Sequence, residues 1–511
     1  MANKIFNTDK RIKLGVWGLG RGGDLIACCK ALNIDVVAGC DFNEHIRENF
    51  RKHAPDVFLT ADEDEFLAQD MDAVLVATWF MDHAKLSIKA LNAGKHVMCE
   101  VTSFYTPAEA VALVEAVEKS GKVYNLLENY PFMKPNMIAK KLWDDGLFGE
   151  FLYGEYDYNH DCRVLSYAYI DGTPVQPGWA VHNWRSWFNG HYYCTHSLGP
   201  LMYVTGLRPV QVSAPKLSIP LPGWVNDFRH TPSVSFVTMN NGGIFRNFMG
   251  SMTLDSHSRK IWGTRAAYDF TEDCLVSIGA RGDGRKYVLK PEWPEMGDLA
   301  ETMGHGGGDF WELYYFAREI LTGEKAFWDV YRACDVCMTG LMAVRSQAQN
   351  GAPVDIPDFR DKNIREKYRN DNTKPEQPDT DNLLFGKNHN HEITGNFTTV
   401  MTKLIPLPWG YPWGGTGLVR SVFDGMKLYP DLKRPEDKLD VIRNVRTLIA
   451  ELPELAKVYR DALKIADAYP DSLGARILRE SLSIGEPEAI LNTEQTLREL
   501  QEWLIRKSDP C

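Results

Sequence analysis

LGVWGLGRGGDLIACCKALNIDVVAGCD, residues 14–41, decides the fold. A short apolar run, LGVWG, leads directly into Gly18-Leu19-Gly20-Arg21-Gly22-Gly23. A helical stretch comes next, and a second apolar run, VVAGC, ends on Asp41, 18 residues beyond Gly23. A glycine triplet of this spacing between a strand and a helix, with an acidic residue closing the next strand, is the mark of a dinucleotide-binding βαβ unit. Gly18 permits the tight turn, Gly20 lets a pyrophosphate approach the backbone, and Gly23 lets helix and strand pack. The helix N-terminus carries partial positive charge for the phosphates. Asp41 accepts hydrogen bonds from ribose hydroxyls and repels a 2′-phosphate. Because Phe42 rather than an arginine stands after it, NAD is expected over NADP.

Outward from this unit the same alternation continues through AVLVAT (73–78), HVMCE (96–100) and VYNLLE (123–128). Amphipathic stretches lie between the runs, as in a doubly wound parallel sheet. Thr106-Pro107-Ala108-Glu109 supplies an N-cap, a proline at the first helical position and a capping-box glutamate, and Gly121 closes that helix. Ligands of such sheets bind outside the carboxyl ends of the strands. Thr78, Trp79, His83 and Glu100 fall there, each readable as a cofactor contact or as structure.

After about residue 150 the runs lengthen and alternate: EFLYGEYDY (150–158), SVSFVTM (233–239) and GIFRNFMGSM (243–252), the last two joined by the hairpin signal Asn240-Asn241-Gly242. The expectation is an α+β domain with an open, largely antiparallel sheet. A polar, proline-bearing stretch from Asn372 to Asn382 marks a boundary, and beyond it lie amphipathic helices such as 437–469 and 493–507. The division expected is an NAD-binding Rossmann domain (1–148), a substrate and oligomerisation α+β domain (149–371), and a linker with a helical C-terminal extension (372–511). The aromatic stretch from Trp409 to Thr416 either covers a substrate cleft or anchors the extension.

Composition bounds the partners. In 511 residues, 44% hydrophobic and 24% charged, the net charge is −11 and there is no basic block. That excludes a disordered or disulfide-scaffold chain and disfavours nucleic acid or an anionic membrane surface. A small neutral or weakly polar substrate, a cytoplasmic location and a homo-oligomer are expected. The ten cysteines, including Cys334 and Cys337 within a helical stretch, read as reduced core thiols, with a metal site the lesser alternative and no metal assigned.

Polar and aromatic residues crowd Tyr158-Asn159-His160-Asp161 with Arg163, His182-Asn183-Trp184-Arg185, and His191-Tyr192-Tyr193-Cys194-Thr195-His196. Histidine and tyrosine a few residues apart can share a proton network beside a reacting hydroxyl. Gly304-His305-Gly306-Gly307-Gly308-Asp309 is either a substrate clamp or a plain loop before a helix.

From roughly residue 11 to 365 these segments resemble the Gfo/Idh/MocA oxidoreductases, and within them the NAD-dependent α-N-acetylgalactosaminidases and related glycosidases. GLGRGG (18–23), AGKHVMCEVTS (93–103), LLENYPFMKPNMIAKKLWDDGLFGEFLYGEYDYNHDCR (126–163), YCTHSLGP (193–200) and GHGGGDF (304–310) carry the likeness. Ordinary dehydrogenases of the superfamily have Glu-Lys-Pro where this chain has Glu100-Val101-Thr102. They tend to have an Asp and, four residues later, a His where it has His196 and Pro200. The glycosidase-like branch has Glu-Val-Pro and Tyr-Pro-Thr-His, so Thr102 and Cys194 depart from that branch too.

The resemblance implies redox-neutral hydrolysis: hydride leaves C3 of the sugar for NAD+, the ketone acidifies C2, the C1 leaving group is eliminated, water adds and the hydride returns. It implies His196 as partner of the C3 hydroxyl, Tyr193 as relay or C2 base, and Glu100 at the nicotinamide end. Asn129 joins Gly18 to Gly23, Asp41, Thr78, Trp79 and His83 around the cofactor. Asn159, His160, Arg163, Trp184, Arg185 and Tyr193 would hold the sugar. A sugar or glycoside dehydrogenase that releases NADH is the main alternative, and a non-catalytic sensor of NAD or sugar a third.

Overall fold

The computed structural model describes residues 5–160, 189–217, 219, 233–251, 258–278, 285–293, 296–374, 415–483 and 486–508. Six strands form the first sheet: β1 (Ile12–Trp17), β2 (Ile34–Cys40), β3 (Phe58–Thr60), β4 (Ala73–Val76), β5 (His96–Glu100) and β6 (Tyr124–Leu127). They are parallel throughout, in the order β3-β2-β1-β4-β5-β6. All four residues of β4 and of β6 are buried, as continuous apolar runs between two helical layers should be. Helix Pro107–Ser120 begins as its sequence predicts: Thr106 Oγ1 accepts from the Glu109 N–H, Glu109 Oε2 accepts from the Thr106 N–H, and Gly121 closes it at φ +64°.

The glycine loop differs from expectation in one respect. It opens onto a single α-turn, Arg21–Asp24, continued by a 3-10 turn, Leu25–Cys28. The close approach of turn and strand therefore falls on Gly22 instead of Gly23. A Cβ on Gly22 would stand 2.6 Å from Val16 Cγ1 and 3.0 Å from Leu75 Cδ2, whereas one on Gly23 would make ordinary contact with Phe50. Gly18, at φ +92°, has no room for a side chain against the Ala77 carbonyl, and Gly20 faces open space.

The second sheet has nine strands: β7 (Phe151–His160), β8 (Pro209–Ser213), β9 (Ser233–Met239), β10 (Ile244–Ser251), β11 (Arg259–Gly263), β12 (Ala266–Asp269), β13 (Cys274–Ile278), β14 (Arg285–Leu289) and β15 (Val354–Asp355). Their order is β14-β13-β12-β11-β7-β10-β9-β8-β15, antiparallel except where β7 meets β10. The predicted hairpin joins β9 to β10, with Gly242 at φ +89°. One face of this sheet is covered by helix Thr195–Thr205, whose Leu201 reaches Gly154 of β7. On that face stand Tyr156 and Tyr158. On the other, Glu155 and Asp157 pair with Arg246, and Glu155 also with Lys260.

One hydrophobic core runs from the first sheet through helices Gly308–Thr322 and Val330–Ala348 to the second. Cys334 and Cys337 are buried free thiols in the latter helix. The C-terminal helices Gly415–Leu428, Pro435–Ala468, Leu473–Ser483, Pro487–Leu491 and Thr493–Ser508 enclose a core of their own, with Leu448, Leu452, Leu478 and Leu500 at its centre. Of the aromatic stretch only Gly415 onward is described, as the start of a helix. No helix among the described residues is long and apolar enough to cross a membrane.

Gly22→Ala forces its Cβ into Val16 and Leu75 and should cost about 1–3 kcal/mol of stability, whereas Gly20→Ala, meeting open space, should cost far less. Chemical unfolding monitored by tryptophan fluorescence checks the contrast, and equal losses would mean that the turn does not pack as described.

Candidate active site

The carboxyl ends of β1, β2, β4, β5 and β6 converge on one rim. Asp41, at the end of β2, accepts from the Leu19 N–H at 2.9 Å through Oδ2 and from the Asn43 N–H at 2.9 Å through Oδ1. It thus holds the glycine loop and begins the next helix. Phe42 is 70% exposed beside it, and its ring stands edge-on to Trp79 at 6.4 Å. The Thr78 hydroxyl is buried with no hydrogen-bond partner, as is the amide oxygen of Asn129. Open space at Gly20 and unpaired polar atoms at two strand ends fit a bound dinucleotide.

His83 does not face that rim. It is 1% exposed, and its two ring nitrogens meet main-chain carbonyls: Nδ1 that of Thr102 at 2.8 Å and Nε2 that of Thr78 at 2.9 Å. A carbonyl only accepts, so both nitrogens must carry protons. Burial opposes the charge, yet Cys99 and the two carbonyls outweigh it and raise the imidazole to about 9. The expected cofactor contact is thereby corrected: His83 acts through Thr78 and Thr102, tying the end of β4 to the loop after β5.

Arg21 and Glu100 are likewise engaged with protein. Arg21 Nε donates to Glu100 Oε1 at 2.8 Å, and its Nη1 and Nη2 donate to Asp309 at 3.0 and 2.8 Å. The other Glu100 oxygen accepts from the Val101 N–H at 3.2 Å. With both oxygens engaged by protein, Glu100 positions Arg21 beside the loop after β5. Asp309, 2% exposed, also accepts from Asn129 Nδ2 at 2.8 Å and pairs with His305 Nδ1 at 3.0 Å. Burial works to raise Asp309, but His305 and Arg21 prevail and hold it below the usual carboxylate range. The glycine-rich segment before it adopts left-handed backbone at His305, Gly306 and Gly307, so the loop is fixed by Asp309 at its end.

The second centre lies at β6 and helix Thr195–Thr205. Glu128, immediately after β6 and wholly buried, meets His196 Nδ1 with both oxygens, at 2.8 and 2.9 Å. It also accepts from the Tyr130 N–H at 3.2 Å. A carboxylate oxygen accepts, so Nδ1 carries a proton, and Nε2 is the ring nitrogen turned away from Glu128. Three phenol rings surround the imidazole: Tyr130 stacked at 4.5 Å, Tyr158 edge-on at 4.7 Å and Tyr193 edge-on at 4.7 Å. Tyr193 ends a 3-10 turn, Gly190–Tyr193, and borders a narrow cleft with Phe80, Val101, Thr102 and Tyr192.

The structure thus brings Tyr193 and His196 together as the sequence suggests. Asn159 is buried, with Nδ2 on the Phe248 carbonyl and Oδ1 unpaired. His160 ends β7, its side chain not described, and Arg163, Trp184 and Arg185 lie outside the described residues. Sequence reasoning misses Glu128, Tyr130 and the part played by Asp309. Glu128 was within reach: it stands just after β6 as Glu100 closes β5, and the rule that picks out one strand end applies to the other. No group of three or more potential metal ligands occurs among the described residues.

The family model for oxidoreductases of the Gfo/Idh/MocA type, NAD-binding Rossmann fold, matches residues 12–127. That for the C-terminal domain of glycosyl hydrolase 109 matches residues 284–366. A glycosyl hydrolase family 109 protein of Saccharopolyspora erythraea is 26% identical over 418 residues, covering 70% of this chain and 85% of that protein. Another, from Solibacter usitatus, is 26% identical over 408 residues, covering 70% and 90%. Among solved structures, levoglucosan dehydrogenase in complex with NADH and levoglucosan matches at a TM-score of 0.55 and 20% identity, over 68% of this chain and all of that one. An oxidoreductase domain protein from Kribbella flavida matches at a TM-score of 0.57 and 18% identity, over 68% and 100%. These structures share the fold.

His83 gives a test in pH. Its folded pKa lies above the unfolded value, so its contribution is complete below about 6.5 and is lost as pH rises through about 9. The stability gap between wild type and His83→Gln should be on the order of 3 kcal/mol near pH 6 and should shrink towards pH 10. Urea unfolding at a series of pH values measures it, and a gap independent of pH would show that His83 is neutral in the folded protein.

Proposed function

From the premise that this chain is an NAD-dependent enzyme on the Gfo/Idh/MocA oxidoreductase fold, with a C-terminal domain of the glycosyl hydrolase 109 type, we propose that it is a glycoside hydrolase. It acts on a hexose-type glycoside by transient oxidation at C3, elimination of the C1 substituent, addition of water and re-reduction. The glycine loop, Asp41, Thr78 and Asn129 would hold NAD, which would supply the acceptor and later the donor of the C3 hydride.

The observation that carries this reading is the Glu128–His196 pair inside its cage of phenols. Removal of hydride from a carbinol carbon requires a base at its hydroxyl, and the usual lysine after β5 is here Val101. His196 Nε2 is the available lone pair. Taking the proton makes an imidazolium at the first turn of a helix, where the dipole disfavours a cation. The buried carboxylate of Glu128 against Nδ1 offsets that charge, so the proton can be held and returned without leaving the site. Low exposure of Tyr130, Tyr158 and His196, each below 10%, keeps bulk water from exchanging with it.

A second acceptor is needed for the C2 proton. Tyr193 meets the requirement by position: its ring is 4.7 Å from His196 and 5.9 Å from Tyr158, so a phenol that gives up its proton does so beside other polar groups. Its normal pKa near 10 calls for such neighbours. Two proton sites around one ring suit a cycle that removes and restores hydrogen at adjacent carbons.

Purified protein with NAD+ and a panel of aryl α- and β-glycosides should release aglycone in many-fold excess over NADH. NADH formed in step with substrate loss, without aglycone, would replace this reading with a sugar dehydrogenase. His196→Asn and Glu128→Gln should each lower kcat by roughly 10²–10⁴-fold while NAD binding persists, since one removes the base and the other its orientation. Retention of full kcat in either variant would exclude the pair from the chemistry.

A further inference from the structure

We infer that Arg259 recognises an anionic substituent, a carboxylate or a sulfate ester, on the substrate; this rests on the reading of the site as a carbohydrate site and narrows its substrate class.

Arg259 opens β11, paired in register with Tyr156 of β7. Residues directly opposite in a sheet share a face, and Tyr156 lies on the face covered by helix Thr195–Thr205. The arginine therefore points into the molecule. Its Cζ lies over the Tyr130 ring, 5.5 Å from the centroid, and that ring stacks on His196 at 4.5 Å. Only one aromatic ring thus separates the guanidinium from the imidazole.

Its lack of counter-ions sets it apart. Among the described residues no carboxylate lies within ion-pair distance of the Arg259 guanidinium. The next residue, Lys260, on the outer face, has Glu155 at 3.4 Å and Asp269 at 3.8 Å, and Arg246 of the same sheet has Glu155 and Asp157. Arg21, the other arginine near Asn129 and Tyr130, is held between Glu100 and Asp309. Burial depresses the Arg259 pKa, with Tyr130 and Tyr156 opposing. A half-buried guanidinium with a ring face beside it and no ion-pair partner among the described residues is poorly compensated. Sugar hydroxyls would solvate it in part. A carboxylate or sulfate, all acceptor and negatively charged, matches its planar array of donors and cancels its charge.

The test is calorimetric titration of the full-length, NAD-loaded protein with D-galacturonate, D-glucuronate and D-galactose 6-sulfate, each against its neutral parent sugar. At least one acidic sugar should bind about tenfold or more tightly than its parent, and the carboxylate and sulfate arms show which anion is favoured. Arg259→Met should abolish the preference and Arg259→Lys retain part of it, with unchanged NAD affinity and circular dichroism certifying both folds. If no acidic sugar binds more tightly than its parent, or the preference survives in Arg259→Met, the inference is overturned. Binding is read without turnover, so failure of the glycosidase reading shows separately, in the ratio of aglycone to NADH.

Discussion

The Arg21 guanidinium ties the glycine loop to the helix Gly308–Thr322. Arg21 belongs to the glycine loop, yet its side chain reaches Asp309 at the start of a helix that packs against the second domain. Glu100 secures it from the loop after β5. Removing one partner of so enclosed a pair leaves the remainder buried and unpaired, a penalty of about 3–5 kcal/mol. The attachment also sets distances. Asp309 fixes Asn129 and His305, Asn129 precedes Tyr130, and Tyr130 stacks on His196, so the setting of the imidazole is traceable to the glycine loop through three contacts and one peptide link.

Electrostatic economy in this region depends on how each carboxyl is surrounded. Asp309 and Glu312 lie three residues apart on one helix and move in opposite directions. Asp309, with Arg21 and His305 against it, is held down as an anion. Glu312 is fully enclosed, and burial together with Asp309 and Glu100 pushes it far above the ordinary carboxylate range. Both of its oxygens are without a protein partner, the condition of a neutral acid.

Much of this architecture was legible from residues alone. Strand-to-turn glycines, the acidic residue closing β2, the capping box at Thr106 and the hairpin at Gly242 each act within a few residues, and local spacing records them. The glycine that packs was misassigned because a motif counts positions and cannot tell that the next helix lasts one turn. Tyr193 and His196 stood out because they cluster in sequence. The Arg21–Asp309 contact spans 288 residues and the His196–Glu128 contact 68, and no periodicity encodes partners so distant. His83 illustrates a different failure. The sequence places it in the loop after β4, whereas it lies in the helix Phe80–Asn92, and the carbonyls that capture it belong to the backbone and leave no trace in residue identity.

The parallel contact between β7 and β10 bears on how the molecule acquires its site during synthesis. Those strands are central neighbours in the second sheet, though a bond between them, from Asn159 to Phe248, spans 89 residues. Antiparallel hairpins on either side can zip up locally, but this junction must wait for the intervening chain, which contains helix Thr195–Thr205, to cross over. His196 rides on that crossover. Closing the sheet and bringing the imidazole to Glu128 are consequently linked non-local contacts, which hairpin formation alone does not supply.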